Sequence, residues 1–216
     1  MSQDHHLQQA VLAELEREPG VTAAHIGVTA NAGVVTLTGH VANIAEKHEA
    51  SDAAERVKTV KAVANELQVR LPEGARRSDE EIAAAAVARL AWNTVVPRDA
   101  IKIEVENGQV SLTGQVDWFF QKAAAERDIR QLWGVVEIAN RVTVKPRVDV
   151  VNISDDIMHA LNRSWFFDPK TISVTANGGK VRLGGTARSL HERKLAAETA
   201  WSEPGVTDVE NDIVVV

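Results

Sequence analysis

The chain has 216 residues, 44% hydrophobic and 25% charged, which suits one to three ordinary globular domains. It contains no cysteine, which excludes a disulfide framework and thiolate chemistry, and its net charge of −6 argues against general nucleic-acid binding, which needs a basic footprint. No apolar run approaches the ~20 residues that cross a bilayer, and the opening MSQDHHLQQAVLAELEREPG lacks the basic and apolar regions of a secretory leader. The expectation is a soluble cytoplasmic protein, with a peripheral position at a membrane as the alternative.

The first predicted element is a helix, because Leu7, Val11, Leu12 and Leu15 form one stripe at 3.6-residue periodicity. Ile26 and Val28 then alternate with polar neighbours, the turn NAG follows, and Val35, Leu37 and Val41 alternate again, which predicts a hairpin with one buried face per strand. Asn43-x-x-Glu46 resembles a capping box and opens a second helix that turns Ala50, Ala54 and Val57 inward. Thr59 stands where a left-handed residue usually ends such a helix, so this end is expected to differ or to carry strain. Leu67 and Val69 mark a third strand.

After the short charged linker LPEGARRS (71–78) the same series returns. A helix is predicted from Ile82, Ala86, Val87 and Leu90, and a hairpin from Ile101 and Ile103, the turn ENG, and Val110, Leu112 and Val116. A second helix carries Ala125, Ile129 and Leu132 inward and ends at Gly134, and a strand carries Val142 and Val144. Past KPRVDVVN (145–152) the series runs a third time, from Ile153, Ile157, Met158 and Leu161 through Ile172, Val174, ANGG, Val181, Leu183 and Ala187. Ser189-x-x-Glu192, Gly205, and Ile213 with Val215 complete it. Gly33, Gly108 and Gly179 are spaced by 75 and 71 residues, and Asn65, Asn140 and Asn211 keep the same register without gaps. The fold class is therefore α+β: three tandem two-layer α-β-β-α-β domains, 1–72, 79–147 and 150–216, each a three-stranded sheet covered by two helices.

The phrases GVVTLTGHV…VKAVANELQV, GQVSLTGQV…WGVVEIANRVTV and GKVRLGGTA…PGVTDVENDIVV resemble the BON domain (bacterial OsmY and nodulation) three times over, across nearly the whole chain. The resemblance implies non-enzymatic binding modules, a link to osmotic and envelope stress, and binding of anionic phospholipid by some members. Many members are periplasmic or lipid-anchored; this chain shows no leader or lipobox, which leaves a role at the inner leaflet.

No GxxxxGK[ST], GxSxG, HExxH or GxGxxG pattern occurs, so the chain is read as a non-enzyme with no cofactor and no metal. His5 and His6 are adjacent and point apart on a helix, and His40 reads as a solvated loop position. Gly33, Gly108 and Gly179 are assigned to turns, and Gly39, Gly114 and Gly185 to a bend of the second strand towards its helix.

Comparing the copies singles out the aromatics, since the five Trp and four Phe all lie outside the first copy. Phe119 matches Ile44 and Leu190, Phe167 matches Val21 and Val96, and both read as core. Trp92 matches Arg17 and Arg163, Trp118 matches the caps Asn43 and Ser189, and Phe120 matches Ala45 and His191. Trp133 matches Lys58, Trp165 and Phe166 match Pro19 and Gly20, and Trp201 matches Glu55 and Arg130; such slots suggest surface. Asp117 is expected to cap the helix that Trp118 cannot. The middle copy (74–147) has 11 basic and 10 acidic side chains, net +1, against −4 and −3 for its neighbours. Trp92, Trp118, Phe120, Trp133, Trp165 and Phe166, with Lys122, Arg127 and Arg130, are the candidate ligand-binding residues for an anionic phospholipid surface or a partner protein. Packing between copies or in an oligomer, and a small-molecule or ion pocket (an osmolyte or K⁺), are the other readings of the same aromatics.

Overall fold

The computed structural model describes residues 3–146, 152–163 and 171–216. Unit 1 comprises α1 (Gln3–Arg17), β1 (Ile26–Asn31), β2 (Val34–Val41), α2 (Ile44–Arg56), β3 (Ala62–Asn65) and β4 (Gln68–Val69). Unit 2 comprises α3 (Asp79–Trp92), β5 (Ile101–Glu106), β6 (Gln109–Val116), α4 (Phe119–Arg130) and β7 (Glu137–Val144). Unit 3 comprises α5 (Ile153–Arg163), β8 (Ile172–Asn177), β9 (Lys180–Ala187), α6 (Leu190–Ser202), β10 (Asp208–Asn211) and β11 (Val214–Val215). In each unit the second strand is central: it pairs antiparallel with the first and parallel with the third. The chain is thus an α+β protein of three mixed sheets.

The third strand is continuous in unit 2 and interrupted in units 1 and 3. Asn65 and Asn211 stand at the interruption. Their side-chain oxygens accept the N–H of Leu67 and Ile213, and their amides donate to the Lys47 and Arg193 carbonyls on the second helix. Asn140 repeats both bonds, with the longer 3.3 Å contact to Val142 N–H, and the ladder runs through. The asparagine found in one register along the sequence is therefore a strut between helix and strand.

Helix stripes bury as expected at Leu7, Val11, Leu15, Ile82, Ala86, Leu90, Ile153, Ile157 and Leu161. Val87 departs from the stripe and is 59% exposed. At the start of the second helices Asn43 and Ser189 cap as predicted, accepting the N–H of Glu46 and Glu192. The glutamates reach one residue further back than the capping-box pattern, to the N–H of Ala42 and Arg188. Asp117 is not the cap of α4. Trp118 holds that position, and the Gln121 side chain takes the N–H of both Asp117 and Trp118. Asp117 instead pairs with Lys145 at 3.0 Å.

Gly39, Gly114 and Gly185 owe their identity to the chain before the first strand, not to the neighbouring helix. A Cβ at each would strike the carbonyl oxygen of His25, Ala100 or Thr171, at φ of +114°, +138° and +114°. Thr59 does adopt the left-handed conformation that Gly134 and Gly205 adopt in the other units, at φ 71°. A β-branched residue there is strained by roughly 1–2 kcal/mol relative to glycine. Thr59→Gly is expected to stabilise unit 1 by about 1 kcal/mol after the added unfolded-state entropy is offset; an unchanged or lower chemical-denaturation midpoint would contradict the strain.

The three units close on one another through their second helices. Ile44, Phe119 and Leu190 are the first residues of α2, α4 and α6. Ile44 packs into the core of unit 2, Phe119 stacks on Trp201 of unit 3 with centroids 4.4 Å apart and planes at 14°, and Leu190 packs against the core of unit 1. Each unit thus inserts a side chain into the next, and the third returns to the first. Consistent with this, Val216 and Gln3 line a common cleft. One turn further along, His48 and Lys194 hold equivalent slots. Lys194 donates to Asp52 at 2.6 Å and lies 3.9 Å from Glu55. His48 is held below its ordinary pKa, first by burial and then by the charge of Arg130, with Glu126 and Asp52 opposing.

The sign of that shift makes neutral His48 the folded form, so the unfolded chain binds the proton more readily and stability is withdrawn as pH falls through the imidazole range. Melting temperature is expected to fall between about pH 8 and about pH 5, and to fall by less in His48→Gln. An equal fall in that variant would contradict this assignment.

Candidate functional site

The structure distributes the aromatic residues over three places. Phe119 and Trp201 are consumed by the stack between units 2 and 3, so both belong to packing between copies, Trp201 rather than free surface and Phe119 rather than a single core. Trp118 and Phe120 form a second group at the start of α4, with centroids 6.1 Å apart. Trp118 is half-buried and Phe120 is 55% exposed. The third group is Trp92, 85% exposed, and Trp133, 66% exposed. Trp165, Phe166 and Phe167 lie outside the described residues.

Trp92 and Trp133 emerge from the same end of unit 2. Trp92 is the last residue of α3, and Trp133 follows α4 by three residues. The two helix ends are tied by Arg89, which hydrogen-bonds Gln131 at 3.0 Å and lies 3.4 Å from Asp128, and by Asn93, which donates to Asp128 at 2.6 Å. Trp118 and Phe120 stand at the opposite end of α4, about 18 Å away for a 12-residue helix. The aromatic residues therefore do not form one patch.

Beside Trp92 an apolar groove of about 470 Å³ runs between α3 and β5. Val87, Leu90, Val96, Ile101 and Ile103 line it, together with the charged pair of neighbours Arg98 and Asp99. One difference between copies lies at the groove. Leu12 of unit 1 packs against a core in which Ile26 and Val28 are buried, whereas the shorter Val87 leaves Ile101 and Ile103 half-uncovered. Val95 adds a further exposed apolar side chain on the following loop, 40% exposed. Sequence reasoning missed Val87, Val95 and Arg98 as surface features. The signal was available in the replacement of Leu12 by Val87.

The basic candidates divide as well. Arg127 is exposed on the last turn of α4, and Lys122 is half-buried. Arg130 is engaged elsewhere: it pairs with Glu126 at 2.8 Å, its Nε is buried without a hydrogen bond, and its charge bears on His48. Arg98 makes no ion pair among the described residues and stands beside the groove.

His40 is half-buried in β2, not in a loop, and stacks on His25 with centroids 4.7 Å apart. Among the described residues no three His, Asp or Glu side chains converge as a metal site would require. No described helix is long and apolar enough to cross a membrane.

The family model of the BON domain matches residues 3–70, 78–146 and 149–216, one match for each observed unit. The chain belongs to the BON domain family. It is 30% identical over 146 residues to osmotically-inducible protein Y of Escherichia coli (strain K12), covering 66% of this chain and 73% of that protein. It is 28% identical over 144 residues to a 21 kDa hemolysin of Actinobacillus pleuropneumoniae, covering 64% and 74%. A solved structure of CdsD, a structural protein of the type III secretion system of Chlamydia trachomatis, aligns over 98% of this chain and 92% of its own at 18% identity, with a TM-score of 0.27. In these terms Trp92, Trp133 and the α3–β5 groove belong to the middle BON unit, and the Phe119–Trp201 stack is the seam between the second and third.

Proposed function

We propose that this BON protein is a non-enzymatic, stress-associated binding protein whose middle unit contacts anionic phospholipid surfaces. One observation carries the reading: Trp92 and Trp133 project from one end of the middle unit, beside an apolar groove that is open in this unit. Indole rings at the end of a domain suit the headgroup region, where an apolar body and a polar N–H are both accommodated. Arg98 and Arg127 supply the charge that favours anionic lipid, each contributing on the order of 1 kcal/mol near such a surface. The names of two relatives, one osmotically inducible and one a hemolysin, support a role in stress and at membranes. Trp118, Phe120 and Lys122 form a secondary contact at the far end of α4, and Arg130 is withdrawn from the set because the seam uses it.

Vesicle co-sedimentation tests the reading. The chain is expected to pellet with phosphatidylglycerol-containing vesicles at low salt, to release as salt rises, and to stay in solution with phosphatidylcholine alone. Failure to pellet with the anionic vesicles would overturn it.

A further inference from the structure

Where unit 1 hands over to unit 2, a cleft of about 680 Å³ opens between the end of β4 and the turn joining β5 to β6. A smaller cleft of about 390 Å³ occupies the corresponding place where the chain's last residue meets the first hairpin. The two are built from the same slots. Asn107, Gly108, Gly134 and Val136 line the first, and their equivalents Ala32, Gly33, Thr59 and Lys61 line the second. The cleft is therefore a recurring feature of the seam between repeats.

Its charge is not recurring. Arg70, Arg76 and Arg77 all line the first cleft, whereas Val216 holds the slot of Arg70 in the other. All three arginines are exposed, and among the described residues none forms an ion pair. Arg77 donates to the carbonyls of Gly74 and Arg76, and Arg70 reaches only the Gln68 side chain at 3.5 Å. No hydrogen bond is made by the Arg76 guanidinium among the described residues. The acids nearby are already committed. Asp79, on the cleft wall, accepts the N–H of Asn107 and Gly108, both at 2.8 Å, and Glu81 accepts the N–H and hydroxyl of Ser78. Three arginines thus line one cleft against a single acid, Asp79, and the charge of Arg77 also bears on Glu81, so the cleft carries an excess of positive charge. Their planar forks suit the oxygens of a phosphate group.

We propose that this seam cleft binds a phosphate-bearing anion, held by Arg70, Arg76 and Arg77. The same chemistry is offered by a soluble phosphoanion and by a lipid headgroup, and the test separates the two. Arg70→Gln/Arg76→Gln removes two of the three charges and leaves Arg77, whose bonds hold the Glu73–Ala75 turn, in place. Calorimetry on the full chain at low salt uses pyrophosphate as probe, and co-sedimentation uses phosphatidylglycerol vesicles; circular dichroism melts establish that the variant is folded.

Saturable pyrophosphate binding that weakens at least tenfold in the variant identifies a soluble anion. Absent pyrophosphate binding, with a tenfold loss of vesicle affinity in the folded variant even in a Trp92→Ala/Trp133→Ala background, identifies the headgroup. The proposal is overturned if wild type and variant bind both probes alike, or if wild type binds neither. A vesicle defect confined to the tryptophan substitutions, with no pyrophosphate binding by the wild type, would leave the membrane reading intact and remove this one.

Discussion

Replacing Gly114 by alanine is expected to unfold the middle unit or leave it marginal. The glycine sits at φ +138°, and a Cβ would run into the Ala100 carbonyl oxygen, a backbone atom that no rotamer change can move aside. Forcing an L side chain into that region costs roughly 1–2 kcal/mol, and relieving the overlap by shifting β5 away from β6 adds about 1–3 kcal/mol. A unit of this size has a stability of only about 3–10 kcal/mol. The melting transition of the middle unit should therefore drop by about 10–40 °C, with hydrogen exchange rising first across β5, β6 and α4. The effect should spread, because α4 carries Phe119 to Trp201 and the core of the unit receives Ile44 from α2. Gly74→Ala is the control: nothing lies within 4 Å of its added Cβ, and its melt should match wild type. A Gly114→Ala protein that melts with wild type would contradict the close approach on which the repeated glycine is explained.

The second large effect is on membrane affinity. Trp92→Ala/Trp133→Ala is expected to weaken binding to phosphatidylglycerol vesicles on the order of 100-fold. An indole offers about 150–250 Å² for burial, and partial insertion at about 25 cal/mol per Å² gives about 1.5 kcal/mol for each ring. Two rings together then amount to roughly 3 kcal/mol, about two decades in affinity. Stability should be unaffected, since the side chains at 85% and 66% exposure contribute little to the core. Phe120→Ala should have a smaller effect, because Phe120 stands at the other end of α4. Equal affinity in the double variant would contradict the assignment of that end of the unit as the contact.

The repeat, its strand pattern and its helix stripes were legible because each follows from a local rule. Period two marked the strands, and the gap-free spacing of Gly33, Gly108 and Gly179 fixed the units to one register. The comparison with Gly134 and Gly205 left two outcomes for Thr59, a different helix end or strain, and the structure shows the second, at φ 71°. Closure of the three units was not legible. Phe119 reads as core from its match with Ile44 and Leu190, and all three are indeed apolar and covered, but what covers each includes another unit. A one-dimensional pattern records burial and not the neighbour that causes it. The function of Gln121 was missed for a simpler reason: it takes two backbone N–H groups beneath a residue that cannot cap, so the usual cap residue was sought in Asp117. The candidate site was half visible. Trp92 and Trp133 stood out by type, but their placement at one end of the unit rests on Arg89 and Asn93 bridging to α4, and the groove lies where Val87 replaces the longer Leu12.

Depth-resolved quenching of tryptophan emission by brominated acyl chains tests the central claim most directly, since it reads which indoles enter the membrane. With phosphatidylglycerol vesicles the wild-type emission should be strongly quenched by bromines near the headgroup. Trp92→Phe/Trp133→Phe should lose most of that quenching while the stacked Trp201 emission remains. Quenching that survives intact in the variant, or that never appears with wild type, would contradict a membrane contact made through the end of the middle unit.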